Sequence, residues 1–294
     1  MSRLIKSFFF KLSKDIAFRI TLIIGVGLAI MMTGLFLLID ISLGLFGEEG
    51  AKLLTGPNML LSSLSPVDNF GLAIPINLIT FICLEFSQGT IRNKIIAGHS
   101  KFKIYLALFI SGLVLAFSLL FVYVGLCTLL GTIFGGFDLN NPIINMTSIS
   151  SMLGAGYCDA GYILQMLLVA VVVYANIVAF TIFFSALFRT VGPCIPIVII
   201  ALMIISVGGS LVSMMGDAFE NDALVNVVTV IDPLYVISGG GTDTILKIVD
   251  NEEVPRAYVG ITNFAFVSTL VNNLVYAALF FFGGAFIFAK RDVK

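Results

Sequence analysis

Apolar residues fall along this chain in long runs separated by short polar stretches, and the runs have the lengths a bilayer needs. A hydrocarbon core of ~30 Å takes about 20 residues of helix, and six segments qualify: 16–39, 66–85, 104–134, 162–187, 194–215 and 263–289. The second is interrupted by Asp68, Asn69 and Asn77, yet its start is marked. Ser65 can cap it, Pro66 suits the first helical position, and Asp68 sits where a carboxylate favours the helix dipole. The third run is longer than a crossing requires and predicts tilt or projection. Ahead of the first run, within residues 1–15, Leu4, Ile5, Phe8, Phe9 and Leu12 favour one side among Arg3, Lys6, Lys14 and Arg19, although Phe10 breaks the polar face. This predicts an interfacial amphipathic helix. The fold class expected is an all-α membrane protein, one transmembrane domain over 1–294 with six transmembrane helices.

Composition agrees. Of 294 residues, 59% are apolar and 11% charged, where soluble domains carry ~25% charged residues. A soluble domain could not hide so much apolar surface, and disorder and a disulfide scaffold are excluded by the same figures. Cys83, Cys127, Cys158 and Cys194 have no paired spacing and read as small buried hydrophobes. The first run, 24 residues long, exceeds the ~7–15 of a cleaved signal's apolar region.

Charge orients the spans. With the N-terminus inside, only Lys52, Lys247 and Arg256 of the 16 basic residues lie outside, and only Asp15, Glu85 and Asp292 of the 17 acids lie inside. Basic bias sets topology, so both termini are expected to be cytoplasmic in a plasma membrane. The outer connections are then 40–65, 135–161 and the large acidic 216–262, which is expected to hold short helices packed on the outer ends of the bundle.

No ionisable group lies deep in a span as drawn, which argues against a proton relay or a voltage sensor. His99 is the only histidine and lies in a connection, so neither an HExxH zinc site nor a Ser–His pair can form within the membrane. There is no GxxxxGK[ST] loop, and the run Ser238-Gly239-Gly240-Gly241 lacks the Lys-Ser/Thr that would make it a phosphate cradle. The chain is expected to be non-catalytic, to hold no metal or cofactor, and to bind no nucleic acid.

The connection between spans two and three carries the most information. Gly89 permits a sharp exit, Thr90 or Ser87 can cap a short helix, Gly98 can end it from the C′ position, and Ser100 can cap span three. Ile91 and Ile95 share a face with Ile96 alongside, Arg92 and Asn93 point largely away, and Lys94 lies beside the apolar edge. Such a helix, within 86–100, either receives a push from a cytoplasmic partner or rests in the headgroups with its lysines on anionic lipid.

The pattern Glu85-x-x-x-Gly89-Thr90-Ile91-Arg92-Asn93-Lys94, followed by Gly98-x-Ser100-Lys101 and Ile104-Tyr105, resembles the coupling-loop signature of ABC-2-type transporter permeases. Phe184-Ser185-Ala186-Leu187-Phe188-Arg189 is similar to the family's second cytoplasmic turn, and Asp232-Pro233-Leu234-Tyr235 to the stretch before its last span. Residues 1–15 resemble its connecting helix. The resemblance implies a six-span subunit of a bacterial exporter, paired with a second copy or a sister permease. Two copies of a separate cytoplasmic ATPase would carry ATP and Mg. It assigns ATPase coupling to Glu85, Phe86, Gly89, Thr90, Ile91, Arg92, Asn93, Lys94, Ile95, Gly98 and Arg189. The cargo class implied is amphipathic or hydrophobic: a peptide such as a bacteriocin, a drug or a lipid-like molecule.

Polar side chains also recur at helical spacing: Ser206, Ser210 and Ser213 in span five, Thr269, Asn272, Asn273 and Tyr276 in span six, and Asn77 and Thr80 in span two. In hydrocarbon they must face protein or water. They read either as hydrogen bonds between helices, worth ~0.6 to ~2 kcal/mol each, or as a translocation surface. The family's architecture favours the first for span six and leaves spans two and five open to both. A stand-alone secondary carrier or membrane scaffold, without an ATPase, is the competing function.

Overall fold

A computed structural model describes residues 2–45, 54–66, 72–139, 142–143, 156–219, 222–238, 241–247 and 256–290. In chain order its helices are α1 (Ser2–Lys14), α2 (Ile16–Leu45), α3 (Gly56–Ser63), α4 (Ala73–Ser87), α5 (Thr90–Ile96), α6 (Lys101–Gly135), α7 (Ala160–Phe188), α8 (Val191–Ala218), α9 (Asp222–Ile231) and α10 (Asn263–Lys290). Among the described residues, α2, α6, α7, α8 and α10 are the five long and apolar enough to cross a bilayer, with α4 and α5 together making a sixth candidate. The protein is a predominantly helical, multi-pass membrane protein.

Five of the six expected spans match these helices within a few residues at most boundaries; α2 runs on to Leu45. The second does not. Helix α4 begins at Ala73 rather than Pro66, and its 15 residues rise only ~22 Å. Ser65 lies outside the helices, with its hydroxyl 3.4 Å from that of Ser238. Asp68 and Asn69 lie outside the described residues. Upstream of α4, helix α3, entered through Pro57, packs Met59 on Gly131 of α6, and Leu54 and Thr55 just before it lie on Gly135.

An all-α description also omits a small sheet. Strands β1 (Pro142–Ile143), β2 (Gly156–Cys158), β3 (Thr242–Lys247) and β4 (Arg256–Ile261) pair in the order β1-β2-β4-β3. The β1–β2 and β3–β4 pairs are antiparallel, and β2 and β4 are parallel. That parallel pair follows from the helices: β2 feeds α7 and β4 feeds α10, and these two helices run side by side. Among the described residues, the large connection between α8 and α10 holds helix α9 and also the β3–β4 pair, which the expected short helices did not include.

The core is continuous through α1, α4, α6, α7 and α10, with Phe8, Leu78, Ile91, Tyr105, Tyr174 and Phe288 all buried in it. One end of the bundle collects the basic residues: α1, α5, the start of α6, the turn after α7 and the last residues of α10. Lys101 donates to the Ala289 carbonyl there at 2.8 Å. The sheet and α9 occupy the other end.

Candidate functional site

The corner between α4 and α5 is built on two left-handed glycines. Gly89 (φ +66°) ends α4 and begins α5, and the two helix axes differ by 57°. Gly98 (φ +86°) ends α5, with Gly98 N–H on the Ile95 carbonyl and His99 N–H on that of Lys94. This is the paired closure of a helix C-terminus that favours glycine. Neither Thr90 nor Ser87 caps α5, contrary to expectation. The Thr90 hydroxyl donates instead to the Glu85 carbonyl (2.8 Å) and to Glu85 Oε2 (2.7 Å), and the Ser87 hydroxyl donates to the Leu84 carbonyl. Ser100 does accept from the Lys103 amide at the start of α6.

Glu85 has no exposed surface. Lys11 of α1 sits 2.6 Å from Oε1, and Lys94 of α5 sits 2.9 Å from Oε2. Lys11 also donates to Gln88 Oε1 at 3.0 Å. The Lys94 ammonium lies 3.3 Å from the centre of the Phe8 ring, and Phe8 meets Phe81 edge-on. One carboxylate thus joins three helices, with two cations and a hydroxyl repaying the loss of water around it. Chain reading pointed to Glu85 but missed Lys11. Its signal is that Lys11 falls between Phe8 and Leu12, both buried, on the apolar side of α1.

The remaining coupling residues divide by direction. Ile91 is completely buried in the protein's own core and Ile95 packs partly against it, so the apolar face of α5 is not available to a partner. The exposed face is Arg92, Asn93, Ile96 and Gly98. Arg189, with φ 58°, closes α7 and turns its guanidinium over the Phe86 ring at 5.5 Å. Phe86 in turn packs on Phe288 of α10 at 5.9 Å. Helices α1, α4, α5, α7 and α10 are therefore tied together at the basic end.

The polar faces make the following bonds. Asn77 donates to the Ala17 carbonyl and the Thr21 hydroxyl, joining α4 to α2. Thr80 and Ser210 bond back to their own helices, at Ile76 and Ser206. Ser206 is buried, and the Ser213 hydroxyl pairs with that of Tyr235 at 2.8 Å. In α10, Asn273 donates to the Pro233 carbonyl (3.1 Å) and the Thr269 carbonyl (3.0 Å), and accepts from Asn176 of α7 at 2.9 Å. Tyr276 reaches the Val230 carbonyl, and Asn272 is half-buried. Span six thus contributes hydrogen bonds between elements through Asn273 and Tyr276, as Asn77 does from span two and Ser213 from span five.

Asp232 was not singled out as a buried acid, because it stands outside every apolar run. It accepts the Leu234 amide at 2.9 Å and packs its carboxylate on Gly209, leaving no room there for a β-carbon. Since Gly209 and Asn273 each lie well inside their helices, α9 folds back along the bundle by roughly 14 Å from the helix ends.

Among the described residues no three His, Cys, Asp or Glu side chains gather as a metal site. Comparison with protein-family models, curated proteins and solved structures found no match.

Proposed function

We propose that this chain is the permease subunit of an ATP-driven exporter of the ABC-2 type. It moves an amphipathic or hydrophobic cargo out across the plasma membrane of a bacterium. A separate cytoplasmic ATPase, in two copies carrying ATP and Mg, supplies the energy, and a second copy or sister permease completes the membrane unit. The observation that carries this reading is α5: a short helix held at both ends by left-handed glycines, pinned inward by Ile91 and by Lys94 on Glu85, with Arg92, Asn93 and Ile96 turned outward. Such a helix acts as a lever. Nucleotide-driven closure of the ATPases would bias a two-state membrane dimer, and the Glu85 clasp would pass the movement to α1 and α4.

The test is gentle solubilisation of the tagged protein and identification of what accompanies it. A stoichiometric ATPase is expected. It should be lost at least about tenfold in Arg92→Glu/Ile96→Asp, whose side chains touch no core, while membrane insertion stays normal. Recovery of the chain alone, where control ABC complexes stay intact, overturns the proposal in favour of a stand-alone carrier or scaffold.

A further inference from the structure

About 110 residues separate Cys83 from Cys194 along the chain, and no local spacing pairs them. The fold does. Cys83 of α4 and Cys194 of α8 belong to one buried cluster with Ile79, Phe180, Val198 and Leu202, and their thiols lie within hydrogen-bonding reach of each other. Both are free. Ser185 of α7 completes the group, with its Oγ 3.8 Å from Cys194 Sγ. The Ser185 hydrogen is already spent on the Thr181 carbonyl at 2.8 Å, so toward the sulfur this oxygen is an acceptor. It draws the Cys194 hydrogen to itself and away from the contact between the two sulfurs.

Placement along the helices matters as much as contact. Cys83 stands four residues before the end of α4 and Cys194 three after the start of α8, ~5–6 Å of helix from the basic end of the bundle. Gly192 and Pro193, just before Cys194, are exposed, so a small neutral solute has only that turn to displace on its way to the sulfur. Cys127 and Cys158 are equally buried but lie in α6 and β2. A thiol that only fills space needs no second thiol against it, whereas a sulfur beside a second sulfur is the arrangement of an oxidisable cysteine and its resolving partner.

We propose that Cys83 and Cys194 form a modification site for a small neutral peroxide, and that the resulting disulfide ties α4 to α8. In the first step the Cys194 sulfur attacks a peroxide oxygen: an S–O bond forms, the O–O bond breaks, and the thiol proton leaves with the displaced hydroxide as water. In the second, the Cys83 sulfur attacks the sulfenic sulfur of Cys194: the S–S bond forms, the S–O bond breaks, and the Cys83 proton leaves in a second water. The two thiols lose two electrons and the peroxide gains them. The apolar surroundings favour this neutral product over a charged sulfur species. Because α4 leads through Gly89 into α5, the disulfide would also arrest the lever described above. The pairing itself is argued from the two sulfurs and stands whether or not an ATPase binds, which the co-purification experiment tests separately.

The test exposes the full-length protein in lipid nanodiscs to hydrogen peroxide, blocks the remaining thiols with a maleimide after denaturation, and maps the linkages by peptide mass spectrometry. Asn93→Cys, with its thiol on the exposed face of α5, is treated in parallel and reports that the oxidant was active. A Cys83–Cys194 disulfide should form in at least about half of the molecules, with oxidation of Cys127 and Cys158 at least about tenfold lower, and dithiothreitol should reverse it. Since the bond closes a long loop, the oxidised protein should unfold about 5 °C or more above the reduced one. If Cys83 and Cys194 stay reduced while the Asn93→Cys thiol is consumed, the proposal is overturned. Pairing of either cysteine with Cys127 or Cys158 overturns it too. A disulfide that leaves the unfolding temperature unchanged overturns the tie between α4 and α8. The pair is read in the unaltered protein, so none of these outcomes depends on whether a variant folds.

Discussion

A carboxylate with no exposed surface costs several kcal/mol in lost hydration unless its surroundings replace the water. Glu85 is held in that position by the ammoniums of Lys11 and Lys94 and by the Thr90 hydroxyl. Removing the carboxylate charge is therefore worse than removing either cation. Glu85→Gln leaves two lysines close together with nothing to neutralise them, and should destabilise the protein by about 3–5 kcal/mol. Lys11 is 34% exposed, so Lys11→Met should cost no more than about 1 kcal/mol. Lys94→Met, at 20% exposure, should fall between the two. Thermal unfolding in detergent ranks the three variants; a Glu85→Gln protein as stable as the parent would mean that the clasp does not hold the corner. The identity of Glu85 stood out in the chain because of its spacing to Gly89 and Lys94. Its burial did not, because Lys11 belongs to a different helix and only the folded contact brings it near.

At the scale of elements, close approach of backbones decides what apolar periodicity alone leaves open. Gly131 and Gly135, one helical turn apart on α6, let α3 lie directly on that helix: a β-carbon at Gly135 would fall 1.5 Å from the Leu54 carbonyl oxygen, and one at Gly131 would fall 2.6 Å from Met59. Spacing of small residues by four is a recurrent device for helix contact in membranes. Gly135→Val should push α3 off α6 and expose residues 54–66 to protease. Gly125→Ala on the same helix, where a β-carbon meets nothing within 4 Å, should leave cleavage unchanged. Equal digestion of the two variants would remove the glycine contact from the account. The same contrast explains what could be read in advance. Helices α2, α6, α7, α8 and α10 are legible because an apolar run of sufficient length in lipid has to satisfy its backbone internally. Helix α3, in what reads as an outer connection, was hidden, since its seat depends on a glycine pair about 70 residues downstream. The sheet was hidden for a similar reason: β2 pairs with β4 across 100 residues, and no local alternation announces a pairing that two parallel helices impose. For α5, glycine placement foretold the ends of the helix, but not that Ile91 would be consumed by the protein's own core.

At the scale of the whole molecule, charge and exposed apolar surface together imply one orientation. The clustering of Lys11, Lys94, Lys101, Arg189 and Lys290 at one end of the bundle makes the basic bias a property of the fold as well as of the chain, and on the function proposed above that end faces the cytoplasm. Between the ends, α2 and α8 show broad apolar faces, with Ile23, Ile30 and Leu38 on one and Ile204, Leu211 and Met214 on the other. These are suited to lipid or to a second membrane subunit. The four native cysteines are free and buried, so an introduced thiol can be read against a low background. Asn93→Cys, on the exposed face of α5, should react with a membrane-impermeant maleimide only after cells are permeabilised. Phe219→Cys, at the far end of α8 where the side chain is 70% exposed, should react in intact cells. Labelling of Asn93→Cys from outside would invert the topology. It would also place the α5 lever and the Glu85 clasp on the side of the membrane where no ATPase could reach them, ending the exporter reading in favour of a stand-alone carrier or scaffold.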